Sequence, residues 1–132
     1  MFGRCILAAM LFLPGITIAE PQVERGRASY YHAERFHGRQ MANGDRFDAR
    51  SNAAASRTLP LGTVAEVTNL ENGQMRRVVI EDRGPYVRGR ILDVSPRTAR
   101  ELDMTEDGVV RVEVRPVGML PNRGRDGRAG TN

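Results

Sequence analysis

The sequence is poor in several residue types, and each shortage narrows what the protein can be. Its 132 residues include one cysteine, two histidines, no tryptophan and few other aromatic residues. A lone cysteine excludes a disulfide framework, a cysteine zinc site and an iron–sulfur cluster. No apolar run reaches the roughly 18 residues that a membrane-spanning helix needs. His32 and His37 are separated by one loop segment, which is weak support for a metal site, so we expect neither metal nor cofactor.

Lysine is absent as well, and all 20 basic residues are arginine, which with 16 acidic residues gives a net charge of +4. A basic chain of this kind could bind nucleic acid. Acidic residues are interleaved with the arginines, however, so an arginine-rich solvated surface is the simpler interpretation and no nucleic-acid partner is expected. The hydrophobic fraction of 40% excludes wholesale disorder, and the length allows one domain.

Residues 1–19 have the charged, apolar and small-residue segments of a secretory signal peptide, in that order. Arg4 carries a positive charge, residues 5–13 are almost wholly apolar, and small residues precede a possible cleavage site after Ala19. A buried N-terminal helix is the alternative. Because Cys5 comes before the apolar run, whereas a lipoprotein cysteine follows it, no lipid or other membrane anchor is expected. We therefore predict a protein exported across the inner membrane, periplasmic in a bacterium with two membranes and extracellular if it is exported further. We also expect a monomer.

The residue pattern of the mature chain predicts a small β-barrel of six or so short strands with one or two short helices. After a polar lead-in at residues 20–25, β-type patterns occur at 27–31, 53–56, 63–70, 76–82, 91–94 and 110–115. A turn signal at 71–73 predicts a hairpin between the third and fourth strands. Ser95-Pro96 resembles an N-cap followed by proline at the first position of a helix reaching about Asp103. Residues 32–52 are expected to form a long ordered loop, and residues 118–132 a disordered tail.

Asp82, at the end of the predicted strand 76–82, is the first candidate catalytic residue. Alternation places it on one face with Val78 and Ile80, towards the apolar interior. A carboxyl withdrawn from water is favoured in its protonated form, which a general acid requires. Alternatively, Asp82 caps the next turn by accepting backbone N–H groups, which favours the carboxylate. Strand alternation alone does not decide between the two.

A series of short motifs occurs in a fixed order from about Gly26 to Val117, and together they closely resemble the rare lipoprotein A (RlpA) family. The motifs are Gly26-Arg27-Ala28-Ser29-Tyr30-Tyr31, Phe36-His37-Gly38, Ala42-Asn43-Gly44, Thr58-Leu59-Pro60-Leu61-Gly62-Thr63, Val67-Thr68-Asn69-Leu70, Asn72-Gly73, Asp82-Arg83-Gly84-Pro85-Tyr86, Gly89-Arg90 and Asp93-Val94-Ser95. Each motif alone is weak, but the ordered set is very specific. The resemblance implies a double-psi β-barrel over residues 26–117.

The same resemblance implies a peptidoglycan lytic transglycosylase. Such an enzyme cuts between N-acetylmuramic acid and N-acetylglucosamine, prefers glycan strands without stem peptides and leaves 1,6-anhydro ends. The expected partner is therefore the peptidoglycan glycan strand. The alternative is an expansin-like module that binds or loosens the wall without cleaving it.

Residue by residue, the resemblance assigns the catalytic acid of the Asp-Arg-Gly-Pro motif to Asp82. The acid after the Asn-Gly pair, usually glutamate, is Asp45 here, and the histidine that usually precedes the Thr-Leu-Pro motif is Ser56. Serine donates a hydrogen bond but does not titrate near neutral pH, so we expect Ser56 to act as a hydrogen-bonding replacement.

Four further residues are predicted to contact substrate. They are Tyr31, His37, Arg83 and Tyr86. The tyrosines offer flat apolar faces for sugar rings, and both are expected to be exposed. The alternative for the aromatic residues is ordinary core packing, and for His37 it is loop packing.

Overall fold

The computed structural model describes residues 22–121 together with the isolated positions 3 and 14–15. It contains six strands and two short helices in the order β1, α1, β2, β3, β4, β5, α2, β6. The strands are β1 (Glu24–Tyr30), β2 (Ala53–Ala55), β3 (Thr63–Asn69), β4 (Met75–Asp82), β5 (Arg90–Val94) and β6 (Val110–Met119), and the helices are α1 (Ala33–Phe36) and α2 (Pro96–Glu101). No helix in the described part of the chain is long and apolar enough to cross a membrane.

The strands close into one barrel in the order β1-β5-β2-β4-β3-β6. Two neighbouring pairs, β1 with β5 and β2 with β4, run parallel, and the other four pairs are antiparallel. Alternate residues of the strands face inward and form the main core, because period-2 alternation sends successive side chains to opposite faces. This core includes Val67, Val78, Ile80, Val94 and Val112. The predicted six-stranded, mainly β barrel is thus confirmed.

The hairpin and the N-cap are confirmed too. β3 and β4 pair antiparallel, and Gly73, with φ of +77°, closes the turn between them. The Ser95 hydroxyl accepts the Thr98 N–H and Pro96 begins α2. The helix ends at Glu101, before the predicted Asp103, because Asp103 adopts a left-handed conformation with φ of +51° that an α-helix cannot continue.

The first and last strands each extend beyond the residues predicted for them. β1 begins at Glu24, inside the predicted lead-in, where it pairs with Val114 of β6. Gly118 and Met119, predicted as disordered, pair with Val64 and Thr63 of β3, so their backbone groups complete the ladder. The predicted signal peptide, apart from residues 3 and 14–15, and residues 122–132 lie outside the described residues.

A second, smaller apolar cluster lies on the outer side of β2 beneath the loop of residues 31–52. It comprises Tyr31, Met41, Phe47, Ala53 and Ala55. The predicted ordered loop is confirmed and contains α1 and an isolated bridge between Gln40 and Arg46. Its backbone is held by bonds such as those from the Gly38 N–H to the Phe47 carbonyl (2.8 Å) and from the Met41 N–H to the Asp45 carbonyl (2.8 Å).

Candidate active site

An irregularity in the β2–β4 pairing decides where the Asp82 side chain lies. Ala54 pairs with Ile80, but Ala55 pairs with Asp82, so Glu81 is the extra residue of a bulge. A bulge of one residue reverses the side on which the following side chain emerges. Asp82 therefore lies beside the smaller cluster with Ala55, and not in the barrel core with Val78 and Ile80. The prediction from uninterrupted alternation was wrong for this reason.

The Asp82 carboxyl accepts three hydrogen bonds. Its Oδ1 accepts the backbone N–H groups of Ala42 (3.0 Å) and Arg83 (2.9 Å), and its Oδ2 accepts the Tyr31 hydroxyl (2.8 Å). The bond to the Arg83 N–H is the turn-capping contact that the sequence left as an alternative. The bond to Ala42 joins the 31–52 loop to the end of β4, forty positions away in the chain.

Tyr31 is held rigidly beside Asp82. The residue is only 8% exposed, and its ring packs against Phe36 (centroids 5.1 Å apart) and Phe47 (4.6 Å). Burial raises the pKa of the Tyr31 hydroxyl far above its ordinary value, and the hydrogen bond to Asp82 and that residue's negative charge raise it further. Tyr31 is therefore a permanent donor to Asp82. The prediction that it is exposed was wrong, because the loop folds over it.

Asp82 lines a pocket of about 330 Å³. The other lining residues are Tyr31, Phe36, Arg39, Gln40, Met41 and Phe47. A neighbouring pocket of about 410 Å³ shares Tyr31 and Phe36 with it. This second pocket is also lined by Ser29, Arg90 and Asp93, whose side chains are hydrogen-bonded to one another. The acid thus lies at the wall of a cleft with aromatic and polar sides, which is the usual lining of a small-molecule site.

Asp45 is exposed and belongs to the turn that docks on Asp82. Its backbone N–H donates to the Asn43 side-chain oxygen (2.9 Å), and the Asn43 amide donates to the Asp45 carboxylate (3.3 Å). The Asn43 N–H in turn donates to the Glu81 carbonyl (3.1 Å), which anchors the turn on the bulge of β4. The structure therefore brings the Asp45 turn to the end of β4 that carries Asp82.

Ser56 follows β2 and its side chain is buried, with 1% of the residue exposed. The Ser56 N–H donates to the Asp82 carbonyl (3.2 Å), but the hydroxyl faces the next turn, where it accepts the N–H groups of Thr58 (3.2 Å) and Leu59 (3.0 Å). Ser56 does not line the pocket that contains Asp82. The backbone of Ser56 thus adjoins the site, while its hydroxyl caps a turn.

Replacing Ser56 by alanine separates the two possible roles of its hydroxyl. We expect the variant to lose about 1 kcal/mol of unfolding free energy, because two backbone N–H groups lose their acceptor, and to keep the rate of glycan cleavage that the family resemblance implies. Urea denaturation and a rate assay below the melting transition measure both. Thr68→Ala, at a partly buried position of β3, is the control. A large loss of rate with unchanged stability would instead assign Ser56 to the reaction.

Arg83 and His37 are both engaged with backbone groups. The Arg83 guanidinium donates to the carbonyls of Ser56 (2.8 Å) and Leu59 (2.6 Å), and the exposed His37 accepts the Ala49 N–H at Nδ1 (3.2 Å). Neither lines the two pockets described above. Tyr86 is 79% exposed, in agreement with the prediction of its exposure. Contact of these three residues with substrate stays a prediction.

Sequence reasoning missed several residues of the cleft. Arg39, Gln40, Met41 and Phe47 were treated only as parts of a long loop, because that segment shows no periodicity from which facing side chains could be read. The Ser29–Arg90–Asp93 group was also missed, although all three residues stand in motifs that carried the family resemblance. Among the described residues, no cluster of three or more histidine, cysteine, aspartate or glutamate side chains forms a candidate metal site.

The closed barrel and its cleft define a double-psi β-barrel protein, and comparison with solved structures agrees. The Streptomyces papain inhibitor superposes with a TM-score of 0.60 and 27% identity, over 76% of this chain and 99% of the inhibitor. The apo expansin of Clavibacter michiganensis superposes with a TM-score of 0.57 and 21% identity, over 76% of this chain and 52% of the expansin, which shows the shared fold alone.

Sequence comparison places the chain in a particular family. The family model described as "Lytic transglycolase" matches residues 23–114. A probable endolytic peptidoglycan transglycosylase RlpA of Treponema pallidum is 51% identical over 80% of this chain, and one of Aquifex aeolicus is 50% identical over 72%. This chain therefore belongs to the lytic transglycolase family, among the RlpA proteins. It spans 31% and 42% of the length of those two relatives.

Proposed function

We propose that the protein is a peptidoglycan lytic transglycosylase that cleaves the bond between N-acetylmuramic acid and N-acetylglucosamine and leaves 1,6-anhydromuramoyl ends. The observation that carries the proposal is Asp82, an acid at the wall of an aromatic-sided pocket and held by Ala42, Arg83 and Tyr31. Its position in the family motif and the names of the relatives support the same activity.

The hydrogen bonds of Asp82 indicate where the reacting proton would reside. An ionised carboxylate offers about four lone-pair positions. Two backbone N–H groups occupy Oδ1 and the Tyr31 hydroxyl occupies one position of Oδ2. One position of Oδ2 is left, and Asp82 lines the pocket, so Oδ2 is the atom that would carry the proton to the glycosidic oxygen.

The reaction needs neither water nor a nucleophile from the protein, because the substrate supplies its own nucleophile. Protonation by Asp82 allows the bond between the muramoyl C1 and the glycosidic oxygen to break, and C1 acquires oxocarbenium character. The muramoyl C6 hydroxyl then attacks C1, and its proton passes to the Asp82 carboxylate, which restores the acid. The Tyr31 hydroxyl keeps its own proton throughout and positions Oδ2. Asp45, on the turn that docks beside Asp82, is the second acid of the proposed site.

Incubation of the protein with stem-free glycan strands, followed by mass spectrometry of the products, tests the proposal. The expected products are fragments with 1,6-anhydromuramoyl ends. Each is about 18 Da lighter than the hydrolysis product, because hydrolysis adds one water per cleaved bond and this reaction adds none. A stem-free chitin oligosaccharide, which lacks muramoyl residues, is the matched control. Reducing ends without the anhydro ring, or intact strands at high protein concentration, would overturn the proposal.

A glycan-binding module without turnover is the second candidate. Ser56 favours it, because a buried turn-capping hydroxyl occupies the position where the family resemblance expects a histidine. Strands that co-sediment with the protein but stay intact in the assay above would support this candidate. In either case we propose that the protein acts in the periplasm, after export directed by residues 1–19.

A further inference from the structure

The arginines of this protein fall into groups with different partners. Within residues 22–121, seven arginines form ion pairs with carboxylates, and others donate to backbone carbonyls, as Arg46 does to the Gly38 carbonyl (2.9 Å). Arg39 does neither within the described residues, although it stands in the wall of the pocket that contains Asp82. Apart from Asp82, it is the only charged side chain among the described residues that line this pocket.

The position of Arg39 is well defined even though its side chain is exposed. Its N–H donates to the Phe36 carbonyl (3.0 Å), and its own carbonyl accepts the Phe47 N–H (2.7 Å). The guanidinium carbon lies 5.6 Å from the centroid of the Phe36 ring, within the range of a cation–π contact. A fixed backbone and an aromatic support thus present a cation to whatever occupies the pocket.

The proposed substrate carries one ionisable group per disaccharide, the lactyl carboxyl on C3 of the muramoyl ring. This carboxylate is free only where no stem peptide is attached, because the stem peptide is joined to it by an amide bond. A guanidinium recognises a carboxylate through two parallel, charge-assisted hydrogen bonds and has no comparable partner in an amide.

We propose that Arg39 is a specificity-determining residue that binds the free muramoyl carboxylate and thereby selects glycan strands without stem peptides. The inference rests on the proposed function, since it places a muramoyl residue in the Asp82 pocket. Phe36 is then both a wall for the sugar ring and the support of the guanidinium.

The test removes the negative charge of the lactyl carboxyl and adds no more bulk than one methyl group. Stem-free strands are compared with the same strands after their lactyl carboxyls are coupled to methylamine. For the unaltered protein we expect kcat/KM to be about tenfold higher on the free carboxylates, at the lower end of what hydrogen bonds to a charged group contribute, because Arg39 is exposed. Arg39→Gln is expected to cleave both substrates at equal rates, and Arg39→Lys to restore part of the preference.

Two control variants show whether the effect belongs to this arginine. Arg100→Gln removes an exposed arginine of α2 that lines none of the described pockets, and it should keep the tenfold preference. Arg35→Gln removes an exposed arginine that lines the neighbouring pocket together with Arg90, and it should keep the preference as well. Loss of the preference in either control, or its persistence in Arg39→Gln, would overturn the assignment.

A binding measurement separates this proposal from the proposed function. The affinity of the Asp82→Asn protein for the two kinds of strand is measured by calorimetry, with and without Arg39→Gln. If no variant produces anhydro ends, the proposed activity fails, while an Arg39-dependent preference in affinity still supports the carboxylate site. Equal affinities for both strands in the Asp82→Asn protein would overturn the Arg39 proposal by itself.

Discussion

Asp82→Asn is expected to lower the rate of anhydro-end formation by at least about 100-fold, which is the usual contribution of a general acid. The fold should survive, because the amide oxygen still accepts the N–H groups of Ala42 and Arg83 and the amide nitrogen can donate to the Tyr31 hydroxyl. The rate is measured by mass spectrometry of products, and the melting temperature by circular dichroism.

Asp107→Asn is the matched control for the loss of one negative charge, because Asp107 is exposed in the turn before β6. It should retain the full rate. Full activity in the Asp82→Asn protein would remove this residue from the mechanism. A collapse of its melting temperature would show that the carboxylate is chiefly a link between the 31–52 loop and β4.

Arg83→Met is expected to lower the unfolding free energy by about 3 kcal/mol, from the loss of two hydrogen bonds made by a charged group. The guanidinium donates to the carbonyls of Ser56 and Leu59, so a methionine leaves both carbonyls of that turn without this donor. For a domain of this size the melting temperature should fall by about 10–20 °C. Urea denaturation followed by circular dichroism gives the free energy directly.

Arg88→Met is the control for Arg83→Met, since Arg88 is exposed on the same β4–β5 connection. Its unfolding free energy should change by less than about 0.5 kcal/mol. The sequence predicted that Arg83 contacts substrate. Unchanged stability with a higher KM in Arg83→Met would support that role and contradict the structural one.

The strands illustrate what could be read from local pattern. In β3, alternating Ala65 and Val67 face the core, and the turn at Gly73 marks the reversal into β4. These signals are local, because side-chain alternation and turn conformation depend on near neighbours in the chain. Contacts between elements that are distant in the chain have no such local signal. For example, the side-chain amides of Asn69 and Asn72 both donate to the Leu102 carbonyl (3.0 Å each) at the end of α2.

The candidate site shows the same division. The motif around Asp82 identified the acid, but its surroundings depended on the bulge at Glu81, which strand alternation could not anticipate. Tyr31 was expected at the surface as a sugar-stacking residue, and the loop that carries Phe47 covers it. The sequence did not identify Arg39 as a site residue, because its proposed role depends on the fold, which places it beside Phe36 and in the same pocket as Asp82.

By itself, the sequence determined that this is a small six-stranded barrel, through the period-2 patterns and turns of its strands, and it pointed to Asp82 and to the family through ordered motifs. The tertiary structure alone decided which side of β4 carries the Asp82 carboxylate, that the Ser56 hydroxyl faces a turn, and that Arg39 shares a pocket with the acid. The physical reason is that strand patterns are set by neighbours along the chain. The environment of a side chain in the cleft is set by a bulge and by a loop that returns from far away in the sequence.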